Sequence, residues 1–131
     1  MRKTSIYILL FWAMTGCVSQ EEINAKRNQY LATIPECRSE SSCKSMWEAA
    51  QVWVARNAGY KVQVSTDTVI ETFNSIGSST GIAVSVLKVP LGDGHYKIEV
   101  NIRCANIFGC TPNAWVAAQN FNNTLNAFSE T

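Results

Sequence analysis

The chain has 131 residues, a formal net charge of +1 and only 16% charged residues. A chain of this length predicts a single domain. Its near-neutral charge, without a run of basic residues, indicates neither a nucleic-acid-binding surface nor a polybasic membrane patch.

The first residues have the pattern of an export signal. Arg2 and Lys3 give a positive start, and residues 6–13 form an uncharged apolar run. That run is too short to cross a membrane comfortably, because a spanning helix needs about 20 residues. Met-Thr-Gly-Cys follows directly at residues 14–17. These four residues resemble the lipobox of bacterial lipoproteins, with Met14 in place of the usual Leu.

The resemblance implies that residues 1–16 are a signal peptide that is removed. It also implies that Cys17 then carries diacylglycerol on its thiol and an acyl group on its new amino group. Two or more acyl chains anchor a protein stably, whereas one chain is marginal. Val18 is not the Asp that resembles an inner-membrane retention signal in enteric bacteria, which favours the outer membrane, facing the periplasm. An ordinary secretory signal, with Cys17 a spare thiol, is the alternative.

Residues 17–36 are predicted to be a lipidated tether between this anchor and the domain, because they are mostly polar. A helix is the competing interpretation of the same segment. Ser19 and Glu22 have the spacing of a capping box, and three apolar side chains share one helical face: Ile23, Tyr30 and Leu31.

The domain itself, residues 37–131, contains four cysteines. An even number of cysteines in an exported chain predicts two disulfides, since the periplasm is oxidising. We favour the near pairs Cys37–Cys43 and Cys104–Cys110, and bridges between distant cysteines remain the alternative. The C-x₅-C spacing is wider than that of usual zinc ligands, so no metal or other cofactor is predicted.

A helix is predicted over residues 42–58. Ser45 and Glu48 have capping-box spacing, Ser41 or Ser42 is an alternative N-cap, and Gly59 follows the end. Five residues recur at helical spacing and should form the face that packs on a core: Met46, Ala49, Ala50, Trp53 and Asn57.

Strands are predicted at residues 60–65, 68–73, 82–89 and 96–102, with a hairpin connection at residues 90–94. A last helix is predicted from Thr111 as N-cap, with Pro112 in its first position. Its apolar stripe is Ala114, Ala118, Phe121, Leu125 and Phe128. We therefore expect an α+β two-layer sandwich with an N-terminal helix, about four antiparallel strands and a C-terminal helix.

No catalytic site is predicted. Residues 77–81 match G-x-S-x-G, but a nucleophile elbow needs a strand before it and a helix after it, and here a strand follows. We interpret these residues as a flexible loop, and His95, the only histidine, as solvated. The carboxylates Asp67, Glu71 and Glu99 have no evident reason to converge, and Glu99 is expected to pair with a Lys on a neighbouring strand. The three tryptophans after the signal, Trp47, Trp53 and Trp115, are interpreted mainly as core.

The segment between Cys104 and Cys110 is the main candidate contact surface. Its Ile107 and Phe108 would lie in a small closed ring, whose rigidity lowers the ordering cost of binding. The alternative is that both side chains fold back over the end of the sheet. A second candidate contact is the amide-rich face of the last helix: Gln119, Asn120, Asn122, Asn123 and Asn126.

These patterns predict a non-catalytic envelope lipoprotein that acts by binding or scaffolding at the membrane surface. Its expected partners are the membrane, through the lipid anchor, and an envelope protein. The alternative is a periplasmic inhibitor or immunity protein that blocks a cell-wall hydrolase or a toxin.

Overall fold

The alternating apolar residues of the middle of the chain form an antiparallel sheet. In the computed structural model, which describes residues 19–129, the strands are β1 (Glu36–Cys37), β2 (Val62–Ser65), β3 (Val69–Thr72), β4 (Ala83–Gly92) and β5 (His95–Arg103). Their order in the sheet is β1-β5-β4-β3-β2. The helices are α1 (Gln20–Ala32), α2 (Glu40–Asn57) and α3 (Ala114–Asn126). The predicted signal peptide and Cys17 lie outside the described residues.

The core lies between the sheet and the helices α2 and α3. The strand register aligns Ile70, Val86 and Val100 across three strands, and each of the three is at most 5% exposed. Met46 and Trp53 of α2 and Phe121 of α3 belong to the same buried cluster. The α+β two-layer prediction is therefore confirmed, with five strands in place of about four.

The β4–β5 hairpin forms where Pro90–Gly94 predicts it. Asp93 and Gly94 both have positive φ, 52° and 73°, as the tight turns that suit strand twist require. The fifth strand, β1, has only two residues, and it pairs with β5 through Glu36 and Cys37. Two residues are too few to produce a period, so this strand leaves no signal in the sequence.

Both helix starts differ from the predictions. Helix α2 is capped by Ser39, six residues before Ser45 and two before the alternative cap Ser41, because Ser39 and Ser42 form the capping box. Helix α3 is capped by Asn113, whose side chain accepts hydrogen bonds from the main-chain nitrogens of Trp115 and Val116. Pro112 therefore lies before the helix, after a cis peptide bond.

The predicted tether at residues 17–36 is largely the helix α1, capped by Ser19. Its C-terminal end contacts the domain: Asn122 donates to the carbonyl of Tyr30 and to the hydroxyl of Thr33, and Asn126 donates to the carbonyl of Thr33. The end of the segment is therefore part of the folded unit. No helix within residues 19–129 combines the length and the apolar character that crossing a membrane requires.

The two disulfides are the near pairs. Cys37–Cys43 joins β1 to the first turn of α2, and Cys104–Cys110 closes the segment after β5. Because all four sulfurs are used in these bonds, none is a thiolate available to a metal.

Candidate functional site: a disulfide-closed loop

The connection between β5 and α3 begins with a closed ring. Cys104 follows the last residue of β5, and its disulfide to Cys110 brings the two Cα atoms within 5.5 Å. The strand fixes one end of the ring, and the segment leading into α3 fixes the other. A ring held in this way has few conformations to lose when it binds.

The ring presents two large apolar side chains to solvent. Ile107 is 89% exposed and Phe108 is 93% exposed. The alternative prediction, in which both side chains fold back over the end of the sheet, is therefore wrong. Exposure of two adjacent large apolar side chains gives up the free energy of burying them, about 1.5–3 kcal/mol each. Contiguous exposed apolar side chains are typical of contact surfaces, which makes this adjacent pair the candidate contact.

Asn106 fixes the conformation of the ring. Its side-chain oxygen accepts a hydrogen bond from the main-chain nitrogen of Phe108 over 2.8 Å, the local pattern of an Asx turn. Its side-chain nitrogen donates to the carbonyl of Ser78, and its main-chain nitrogen donates to the carbonyl of Ser79. One residue therefore both shapes the ring and ties it to the loop at residues 74–81.

That second loop is held by hydrogen bonds rather than being free. Ser75 Oγ accepts from the main-chain nitrogen of Ala105, donates to the carbonyl of Gly81 and lies 3.1 Å from the hydroxyl of Tyr60. The hydroxyls of Ser75 and then Ser79 lower the pKa of Tyr60, because hydrogen bonds stabilise its ionised form against the opposing effect of burial. These bonds connect the loop to the ring and to Tyr60, and the flexibility predicted for residues 77–81 stays a prediction.

The second loop adds a third apolar side chain, Ile76, which is 73% exposed. We call Ile76, Ile107 and Phe108 the apolar tip. The loops that carry it, residues 73–81 and 104–113, contain no charged residue. Ile76, Ser75 and Asn106 were not identified from the sequence; the tolerance of Asn for tight turns was the only available signal, and it pointed to Asn106 alone.

The structure separates the residues that a serine triad would need. Ser79 lies beside the ring that follows Arg103, whereas His95 begins β5 at the other end of the strand. A nine-residue strand at about 3.3 Å per residue spans roughly 26 Å between its first and last residues. The G-x-S-x-G match therefore does not form a triad with His95.

Of the remaining polar candidates, Glu99 has an ion-pair partner. Glu99 pairs with Lys97 of its own strand over 2.6 Å, and not with a neighbouring strand as expected. No group of three or more potential metal-binding side chains occurs between residues 19 and 129.

Lys88 lies over the rings of Trp47 and Tyr96, at 5.9 and 4.8 Å from their centroids. Trp47 and Trp53 are at least 94% buried, as core packing predicts.

The amide-rich face of α3 is mostly used inside the molecule. Gln119 donates to Gln29 of α1, and Asn120 accepts from the indole nitrogen of Trp53 over 2.7 Å. Asn122 is fully buried and, with Asn126, binds the end of α1. This face is therefore largely a junction between helices, and its exposed amides are Asn120 and Asn123.

Comparison with known proteins gives no family for this chain: no protein-family model, no curated protein and no solved structure matches it.

Proposed function

We propose that this protein is a non-catalytic lipoprotein of the bacterial cell envelope that acts by binding at the membrane surface. The observation that carries the proposal is the near-complete exposure of Ile107 and Phe108 on a ring closed by a disulfide. A contact residue must be accessible and held in place, and both conditions are met here.

The envelope location is supported by the export signal and the lipobox-like residues ending at Cys17. Disulfides persist in oxidising compartments and are rare in the cytosol. Two disulfides in a domain of this size therefore support the same compartment. The proposed lipid on Cys17 anchors the chain at the outer membrane, facing the periplasm.

The test places a photo-crosslinking amino acid at position 108 in cells that produce the full chain. The matched control carries it at position 91, because Leu91 is also exposed, at 50%, but lies at the β4–β5 hairpin. We expect adducts with lipid or with an envelope protein at position 108, and none at position 91. Equal labelling at both positions, or at neither, contradicts the proposal.

A stability measurement shows whether Phe108 is a surface contact residue or part of the core. Phe108→Ala should leave the melting temperature nearly unchanged, because the side chain is 93% exposed. Phe121→Ala, which removes a fully buried ring, should cost about 3–5 kcal/mol. A large loss of stability from Phe108→Ala would show that this side chain belongs to the core and would remove the basis of the proposal.

An inhibitor or immunity protein is the second candidate, and the rigid ring is the observation that favours it, since such proteins insert a preorganised loop into a cleft. Purified protein tested against cell-wall hydrolases separates the two. Inhibition that Phe108→Ala abolishes and Leu91→Ala leaves intact would support the inhibitor.

A further inference from the structure

The direction of α1 relative to α3 shows where the N-terminus of the domain lies. Gln29 contacts Gln119, Tyr30 contacts Asn122, and Thr33 contacts both Asn122 and Asn126. Moving forward along α1 therefore moves forward along α3, so the two helices run in the same sense. The start of α1 lies toward the start of α3.

The contacts of the same segment with β5 give the same direction independently. Tyr30 contacts Val100, Pro35 contacts Ile98, and Cys37 pairs with Tyr96. Moving backward from Cys37 to Tyr30 therefore moves along β5 toward its end at Arg103. The ring of the apolar tip begins at the next residue, Cys104.

Helix lengths show how far α1 reaches in that direction. At 1.5 Å per residue, Gln20 lies about 14 Å before Gln29, whereas Ala114 lies about 8 Å before Gln119. Aligned on each of the four contacts in turn, the first turn of α1 extends about 1.5–7.5 Å past the start of α3, on the side of the Cys104–Cys110 ring. The side chains of residues 19–25 are exposed, as expected for a projecting end.

The proposed anchor is close to this end. Gln20 is the third residue after Cys17, and an extended chain spans at most about 3.6 Å per residue. A lipid on Cys17 is therefore held within about 11 Å of the start of α1. The domain end that carries the apolar tip is then the end nearest the bilayer.

The loops of the apolar tip and the opposite end of the domain also differ in charge. The loops of the tip are uncharged, so their own insertion desolvates no ion, and the charged residues at the same end, Glu21, Glu22 and Arg103, lie outside these loops. A cavity at the opposite end, beside the β4–β5 hairpin, is lined by charged residues: Arg38, Glu40, Lys44, Asp67, Lys88 and Asp93. Because charged side chains are costly to remove from water, that end is expected to face the aqueous compartment.

We infer that the apolar tip inserts into the lipid surface that holds the chain's own N-terminal anchor. This inference rests on the proposed function and names the lipid bilayer as the contact of Ile107 and Phe108. The disulfide ring and Asn106 hold these side chains outward, and the anchor and the tip together give two attachment points. Two points fix the orientation of the domain, with its charged end directed into the aqueous compartment.

The test uses the lipidated protein, purified from envelope membranes and reconstituted into vesicles of phosphatidylethanolamine and phosphatidylglycerol with brominated acyl chains. Bromine quenches indole fluorescence within the bilayer. Phe108→Trp adds a reporter at the tip, and Leu91→Trp adds one at the hairpin, with the same native tryptophan background. We expect several-fold more added quenching for Phe108→Trp than for Leu91→Trp, and no loss of it at high salt.

Equal quenching of the two variants overturns the inference. The mass of the N-terminal peptide, measured on the same preparation, separates this failure from failure of the anchor. If Cys17 is lipidated but position 108 is not quenched, the tip faces a protein and only the inference fails. If Cys17 carries no lipid, the proposed anchor fails. Quenching at position 108 in the unlipidated chain then still supports the tip, and its absence overturns both.

Discussion

The hydroxyl of Tyr30 donates a hydrogen bond over 2.9 Å to the main-chain carbonyl of Val100. β1 pairs with β5 only as far as Lys97, and Ile98 donates its main-chain N–H to the carbonyl of Pro35. The main-chain N–H and C=O groups of alternate residues point to the same side of a strand. The carbonyl of Val100 therefore points to the same side as the N–H of Ile98, beyond the end of the β1 pairing. A side chain from α1 therefore takes the place of a strand partner.

Tyr30→Phe should lower the free energy of unfolding by about 1 kcal/mol, the usual net contribution of one hydrogen bond. Tyr96→Phe is the matched control, because within the described residues the Tyr96 hydroxyl makes no hydrogen bond and its ring contact with Lys88 is retained. Urea denaturation of the two variants measures the difference. An equal loss in both would show that the bond to Val100 contributes nothing specific.

Alkaline pH should weaken the contribution of Tyr30. Burial, and then the negative charge of Glu99, raise the pKa of Tyr30 above its usual 10.0. The folded state therefore favours the neutral hydroxyl, and its contribution is complete below about pH 10 and declines as the pH rises through the folded pKa. The stability difference between the native chain and Tyr30→Phe should shrink above pH 10. A difference that grows with pH would contradict this sign.

Period and composition predict the sheet and the two core helices well, because a buried face leaves a repeating apolar pattern. The docking of α1 leaves no such pattern, since Tyr30 alone packs partly against the core and the other contacts of the helix end are hydrogen bonds, mainly to Asn122 and Asn126. For the ring, composition favours burial of Ile107 and Phe108. Their exposure depends on contacts between Asn106 and Ser78, which lie 28 residues apart in the sequence.

Removing the amide of Asn122 should release the end of α1. Asn122→Ala loses the bonds to the Tyr30 carbonyl and the Thr33 hydroxyl, and a loss of about 1 kcal/mol is expected, because the substitution also removes the buried Asn122 Oδ1, which has no hydrogen-bond partner among the described residues. Trypsin should then cut faster after Lys26 and Arg27. Asn123→Ala, at an exposed neighbour, is the control. Unchanged cleavage of Asn122→Ala would mean that α1 is held by other contacts.

The two disulfides allow a comparison at constant loop length, since both have a sequence separation of 6. The chain-entropy model assigns each closed loop about 2 kcal/mol. Cys37 and Cys43 are also at least 96% buried, whereas Cys104 and Cys110 are only partly buried. Replacing Cys37 and Cys43 by Ala should therefore destabilise the fold more than replacing Cys104 and Cys110. Equal losses in urea denaturation would mean that packing of the first pair adds nothing.

Asn106→Ala should loosen the ring while the core stays intact. The substitution removes the acceptor of the Phe108 N–H and the donor to the Ser78 carbonyl, so hydrogen exchange at the Phe108 amide should accelerate about tenfold, the equivalent of about 1.4 kcal/mol. Ile107→Ala is the control, because its side chain is 89% exposed and its removal leaves these bonds in place. If exchange at Phe108 is unchanged in Asn106→Ala, the disulfide alone keeps the ring rigid, and preorganisation of the apolar tip does not depend on the Asx turn.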